Sequence, residues 1–224
     1  MGTEAVAGGA REEMLRRIRA ANGHATDDAA VVETQWNALP RGYKRAGTLG
    51  REAKLELLEE RLRDYDASVT RARTGAVAAE IARILKERGK RRTVVPQGLA
   101  EALGEALPEG FEFVADEGMT TAELDGFEGV VTASTVAIAE TGTIVLQNVP
   151  GQGRRAPTLV PDYHLCVVRA GDVVETVPEA MARLEATAKL ATTFISGPSA
   201  TADIEMTRIK GVHGPRFLDV ILAE

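Results

Sequence analysis

The chain predicts an α/β fold, built on a mostly parallel sheet with helices over both of its faces. From Arg92 onward, short apolar runs alternate with helical segments, the cadence of βαβ units. The central apolar runs lack strict polar alternation, which marks strands covered on both sides. With 224 residues and 44% hydrophobic content, the chain holds enough apolar surface for one sizeable core with a helical appendage.

Taken in order, residues 1–9 are rich in Gly and Ala and read as a mobile tail. Residues 10–70 read as an N-terminal helical segment and 71–224 as the α/β domain. Within 11–21, Met14, Leu15 and Ile18 share one helical face. A polar stretch with Pro and Gly runs on to Gly47, and 49–65 then places Leu55, Leu58 and Leu62 at helical spacing among Glu, Arg and Lys. Residues 76–88 repeat the pattern with Val77, Ile81, Ile84 and Leu85, closing at Gly89. Strands follow at 92–96, 111–114, 129–132, 143–146, 164–168, 192–195 and 217–222, with helices at 99–107 and 178–190.

Composition excludes several functions. A net charge of −6 disfavours a general nucleic-acid binder, which needs excess Lys and Arg on one face. Lys90-Arg91-Arg92 and Arg154-Arg155 are too short to reverse that. Cys166 is the only cysteine, so the chain forms no internal disulfide and cannot alone supply the four thiolates of an iron–sulfur cluster. His24, His164 and His213 have no metal-ligand spacing. Neither an export signal nor an apolar run near the roughly 20 residues of a membrane span is legible, so a cytoplasmic protein is expected.

Two strand exits carry the candidate chemistry, 132–143 and 194–205, each an apolar run that collapses into Gly, Ser and Thr with a carboxylate close behind. Such exits build a crevice at the carboxyl ends of the strands of an α/β sheet, and a site is expected where the two meet. In the first, Glu140 stands in an apolar stretch, so a buried carboxylate there must be paired, hydrogen-bonded or perturbed, and serves either as general base or nucleophile or as a clamp on the turn. Thr132, Ser134, Thr135, Thr141 and Gly142 would line the same pocket. In the second, Ser196, Gly197, Ser199 and Thr201 allow close approach of backbone to ligand and cap a short helix over 204–209, an arrangement suited to a carboxylate or phosphate and equally to a plain structural turn. Asp203 and Glu205 would orient a hydroxyl or amide. His213, flanked by Gly211 and Gly214, is placed to donate a proton or to bond backbone. His164, opening an apolar strand, reads as a satisfied histidine. Residues 151–156 have the spacing of a dinucleotide fingerprint, but Pro157 and Pro161 remove the helix it needs; Arg154 or Arg155 there can clamp an anion.

The segments 137–146 (AIAETGTIVL), 159–164 (LVPDYH) and 194–205 (FISGPSATADIE) through 211–215 (GVHGP) together resemble the LUD-domain family, from about the second predicted helix to the C-terminus. The stretch 155–161 (RAPTLVP) is this chain's version of the family's arginine-containing segment before the histidine strand. The resemblance implies a three-layer α/β/α fold similar to the sugar-phosphate isomerase and CoA-transferase group. It also implies a part in cytoplasmic oxidation of lactate to pyruvate beside iron–sulfur partner proteins. With no cofactor bound by this chain, a non-redox subunit or accessory factor is the first expectation, with a small organic anion as ligand and homo-oligomer formation left open. The alternative is an independent enzyme or binding module for a small anionic acyl or sugar-phosphate compound.

Overall fold

The computed structural model describes residues 5–22, 28–201, 209–211 and 214–224. The chain divides into two compact units, 1–43 and 44–224. The first carries α1 (Ala5–Ala21) and α2 (Ala29–Ala38). Asp28 caps α2 by accepting from the Ala30 amide at 2.9 Å, and the Arg41 guanidinium lies 4.8 Å from the Trp36 ring centroid. Helix α1 starts inside the stretch read as a tail, and α2 occupies part of the stretch read as polar connector.

The second unit opens with α3 (Arg51–Asp64) and β1 (Ser68–Ala72), followed by α4 (Val77–Glu87), β2 (Arg92–Val95), α5 (Leu99–Leu103), β3 (Glu112–Ala115), α6 (Thr121–Asp125) and β4 (Gly129–Ala133). It continues with β5 (Val136–Ile138), β6 (Thr143–Gln147), β7 (Tyr163–Arg169), β8 (Val173–Val174), α7 (Val177–Leu184), β9 (Thr192–Ile195), β10 (Ala200–Thr201), β11 (Ile209–Lys210) and β12 (Phe217–Ala223). The boundary expected at 70/71 therefore moves to 43/44. The physical reason is Leu55, Leu58 and Leu62, all fully buried in the core of the second unit, each contributing about 1.5–3 kcal/mol by its removal from water.

Six parallel strands form the central sheet in the order β1-β12-β7-β4-β2-β3. One face takes α4 and α5, through Val77, Ile81, Ile84, Leu85, Leu99 and Leu103. On the other face α3 covers the β12 and β7 half, while α6 and residues 156–160 cover the β4 and β2 half. The α/β fold with helices on both faces thus stands.

A second sheet is added to it, in the order β8-β5-β6-β9. Its inner residues Ala137, Ala139, Ile144 and Leu146 join the α3 cluster, and its outer residues Val136, Ile138 and Val145 pack under α7. Strands β5 and β6 are antiparallel across the Thr141-Gly142 turn, as are β6 and β9. Gly142 is required there: its φ is +58°, and a Cβ would stand 2.8 Å from the Arg61 Cβ at the end of α3.

Candidate functional site

A crevice of about 260 Å³ opens on the α3 face of the central sheet, lined by Arg155, Thr158, His164, residues 194–199, Pro215 and Leu218. His164 and Leu218 are the second residues of β7 and β12, so this crevice lies towards the amino ends of those strands. The expected position at the carboxyl ends is corrected for them; only β9 presents its carboxyl end, through Ser196. His164 sits beside Val130 in the ladder, where the α3 cluster meets the α6 cluster, and the crevice enters at that seam.

Arg155 is placed by the turn that follows it. Residues 156–158 form one 3₁₀ turn, opened by Pro157, and Thr158 bends back so that its amide and hydroxyl donate to the Arg155 carbonyl at 3.2 and 3.0 Å. Arg155 Nη1 in turn donates to the Thr158 carbonyl and hydroxyl, each at 2.9 Å. Among the described residues no carboxylate pairs with this guanidinium, and partial desolvation holds it below its ordinary pKa. With neutral partners alone among the described residues, the Arg155 charge is not compensated within the crevice, and a guanidinium so placed is able to receive an anion.

His164 is only 2% exposed, yet it contributes to the crevice wall. Its Nε2 lies 2.8 Å from Thr132 Oγ1, and the Thr132 hydroxyl reaches Cys166 Sγ at 3.6 Å. Burial, and secondarily the positive charge of Arg155, pushes the imidazole down to about 3, so it is neutral at physiological pH. Burial pushes the Cys166 thiol up to about 12, which keeps it an inert thiol.

The loop after β9 completes the wall. Ser196 Oγ shares a 2.7 Å hydrogen bond with Thr143 Oγ1, tying the two strand exits together. Gly197 has φ +81°, and a Cβ there would lie 2.5 Å from the Tyr65 Cβ, so only glycine lets the loop close against the end of α3. The Ser199 amide donates to the Pro215 carbonyl at 2.8 Å and its carbonyl accepts from Gly211 at 2.9 Å.

Of the residues singled out in the sequence, Arg155, Ser196, Gly197 and Ser199 line the crevice, and Thr132 stands behind His164. Ser134 instead donates to the Val167 carbonyl at 3.2 Å, and Thr135 to Gln152 Oε1 at 2.8 Å. Thr141 bonds Thr143 at 2.8 Å in the β5–β6 turn. Glu140 is not buried: the turn carries it outward, where its carboxylate, 40% exposed, accepts from Lys44 at 3.0 Å. It stands outside the crevice wall, which deprives an independent enzyme of its expected base. Thr201 belongs to β10, paired antiparallel with β11, so Ile209 lies in a strand rather than at the end of the expected helix. Asp203, Glu205 and His213 lie outside the described residues. His164, Thr158, Phe194, Pro215 and Leu218 are additions of the structure; the polar residue opening an otherwise apolar β7 was the one visible signal for His164.

A family model described as the LUD domain matches residues 55–223. A lactate utilization protein C from Deinococcus radiodurans is 40% identical over 200 residues, which cover 88% of this chain and 92% of that protein. The lactate utilization protein C of Bacillus pumilus is 28% identical over 226 residues, covering 92% of each. A solved structure of a DUF162 family protein from Deinococcus radiodurans superimposes with a TM-score of 0.67 at 35% identity, over 79% of this chain and all of that one. The matched span takes in α3 from Leu55 onward, both large sheets and every described residue of the crevice wall, and on that basis the chain belongs to the LUD domain family.

Proposed function

We propose that this chain serves lactate utilization in the cytoplasm, as a subunit or accessory factor without a redox centre of its own, and that its crevice holds a small organic anion. The observation that carries this is the 40% identity, over most of both chains, to a relative named lactate utilization protein C. The crevice supplies the chemical counterpart, a guanidinium with no carboxylate partner among the described residues beside a neutral buried histidine. Lactate carries one negative charge at neutral pH, and its oxidation to pyruvate releases two electrons and two protons. A single buried cysteine cannot ligate a cluster that takes four thiolates; in the proposed role the electrons pass to iron–sulfur partner proteins, and this chain contributes binding and positioning.

The test is recovery of the tagged chain from its own cells grown on lactate, together with deletion of its gene. Co-purification of cysteine-rich iron–sulfur proteins with lactate-oxidising activity, and loss of growth on lactate in the deletion strain, are expected. Unchanged growth on lactate, in a strain with no second lactate oxidase, would contradict the role.

A further inference from the structure

Behind the crevice, four residues form a one-way chain of hydrogen bonds. Thr132 Oγ1 reaches Cys166 Sγ at 3.6 Å, and Cys166 Sγ donates to the Ala133 carbonyl at 3.8 Å. Where the Thr132 hydroxyl hydrogen goes to sulfur, its oxygen is left to accept from His164 Nε2 at 2.8 Å. The imidazole is then the Nε2–H tautomer, with a lone pair on Nδ1. Among the described residues Nδ1 has no hydrogen-bond partner, although His164 is 98% removed from solvent and forms part of the crevice wall. The opposite tautomer would leave an unpaired N–H there, the rarer kind of orphan, and would add a donor to a crevice that already holds the cationic Arg155. Both considerations select the lone pair.

From this arrangement we infer that the crevice takes a small carboxylate bearing a neighbouring hydroxyl, with the carboxylate on Arg155 and the hydroxyl donating to His164 Nδ1, and that it rejects the corresponding 2-oxo acid. A keto oxygen only accepts, so it would set acceptor against acceptor at Nδ1, and a simple carboxylate would leave Nδ1 without a donor. At about 260 Å³ the crevice falls just below the roughly 300–1,000 Å³ of pockets for drug-sized ligands, which suits a molecule of a few heavy atoms. The inference rests on the role proposed above and deepens it. The chain would engage the reduced member of the lactate–pyruvate pair and release the oxidised one.

Calorimetric titration of the full chain with L-lactate, propionate and pyruvate tests this, because the three share a carboxylate and differ only at the second carbon. L-lactate is expected to bind at least about 10-fold more tightly than the other two, the consequence of one buried polar group left unpaired. Equal affinities would overturn the role of His164, and no binding of any of the three would overturn the crevice as the site. Either failure is separable from failure of the lactate-utilization role, which the deletion strain decides without reference to binding. Imidazole ¹⁵N resonances provide the second readout: His164 is expected protonated on Nε2 in the free protein, with Nδ1 shifting when L-lactate is added, whereas protonation on Nδ1 would overturn the tautomer. In Thr132→Val the preference for lactate over propionate is expected to vanish while propionate affinity is kept. Retention of the preference in that variant would contradict the hydrogen-bond chain.

Discussion

Arg154 and Arg155 are adjacent in one loop and meet opposite fates. Arg154 turns to the carboxyl ends of β2 and β3, where its Nε and Nη2 grip the Asp116 carboxylate at 2.6 and 2.7 Å and Nη2 also reaches the Met119 carbonyl at 2.5 Å. Asp116 is held below the usual carboxylate range by that guanidinium first, with the Met119 and Gly118 amides adding to it. Arg155 turns to the amino ends of β7 and β12 and, among the described residues, finds only Thr158. The difference teaches that charge in a Gly-rich loop says little about binding until its partners are known: a bidentate carboxylate makes one arginine structural, and its lack leaves the next able to receive an anion. Open α/β sheets bind ligands at the carboxyl ends of their strands as a rule, and in this chain the arginine at that end is the one already satisfied.

The largest effect that would sharpen the contrast is on stability. Arg154→Ala leaves the Asp116 side chain, only 5% exposed, without its cation, and urea unfolding is expected to show a loss of about 2 kcal/mol, discounted from the larger cost of a fully buried pair because Arg154 is half-exposed. Arg155→Ala removes no ion pair among the described residues, so its unfolding free energy is expected to stay within about 1 kcal/mol of wild type. The same variant is expected to lose about 30-fold in L-lactate affinity by calorimetry, the scale of one charge-assisted hydrogen bond. A strongly destabilised Arg155→Ala that still binds would break the comparison.

Acid titration gives a smaller effect on the same axis. His164 has a folded-state value near 3 against an ordinary 6.5, so the unfolded chain takes up the proton first. Its contribution to stability is present above pH 6.5 and is lost as pH falls towards 3. In His164→Gln, stability measured by urea unfolding is expected to fall less steeply than wild type between pH 6.5 and 4; parallel curves would mean that the imidazole is not buried in its neutral form. The smallest effect is expected at Glu140, whose ion pair with Lys44 is solvated: Glu140→Gln should change stability by less than about 0.5 kcal/mol and leave L-lactate affinity unaltered. Lost affinity there would return Glu140 to the site.

The parts of the fold legible in the sequence are those with strong periodicity. Helix α3 shows its core face in Leu55, Leu58 and Leu62, α4 in Val77, Ile81 and Leu85, and β7 and β12 show as mainly apolar runs, broken by His164 and Asp219. The second sheet was not legible as a separate sheet. Residues of β5 and β6 are buried on both faces, and such runs look alike whether they pair in parallel or antiparallel fashion. Glu140 misled because an apolar stretch surrounds it, whereas the Thr141-Gly142 turn reverses the chain there and carries the side chain to Lys44. Arg155 could be named as an anion clamp but not separated from Arg154, since the separation depends on Asp116, 38 residues away in the chain. His164 reads as satisfied, and on Nε2 it is; no local pattern reveals that the residue borders a crevice formed by residues from 155 to 218.

The most direct measurement is growth on lactate of a strain in which the chain's own gene is replaced by Arg155→Ala, in a background with no second lactate oxidase. Loss of growth on lactate, with normal growth on glucose and wild-type levels of the folded variant, is the result that the Arg155 crevice predicts. Wild-type growth on lactate would contradict it, and would detach this chain's part in lactate utilization from the crevice.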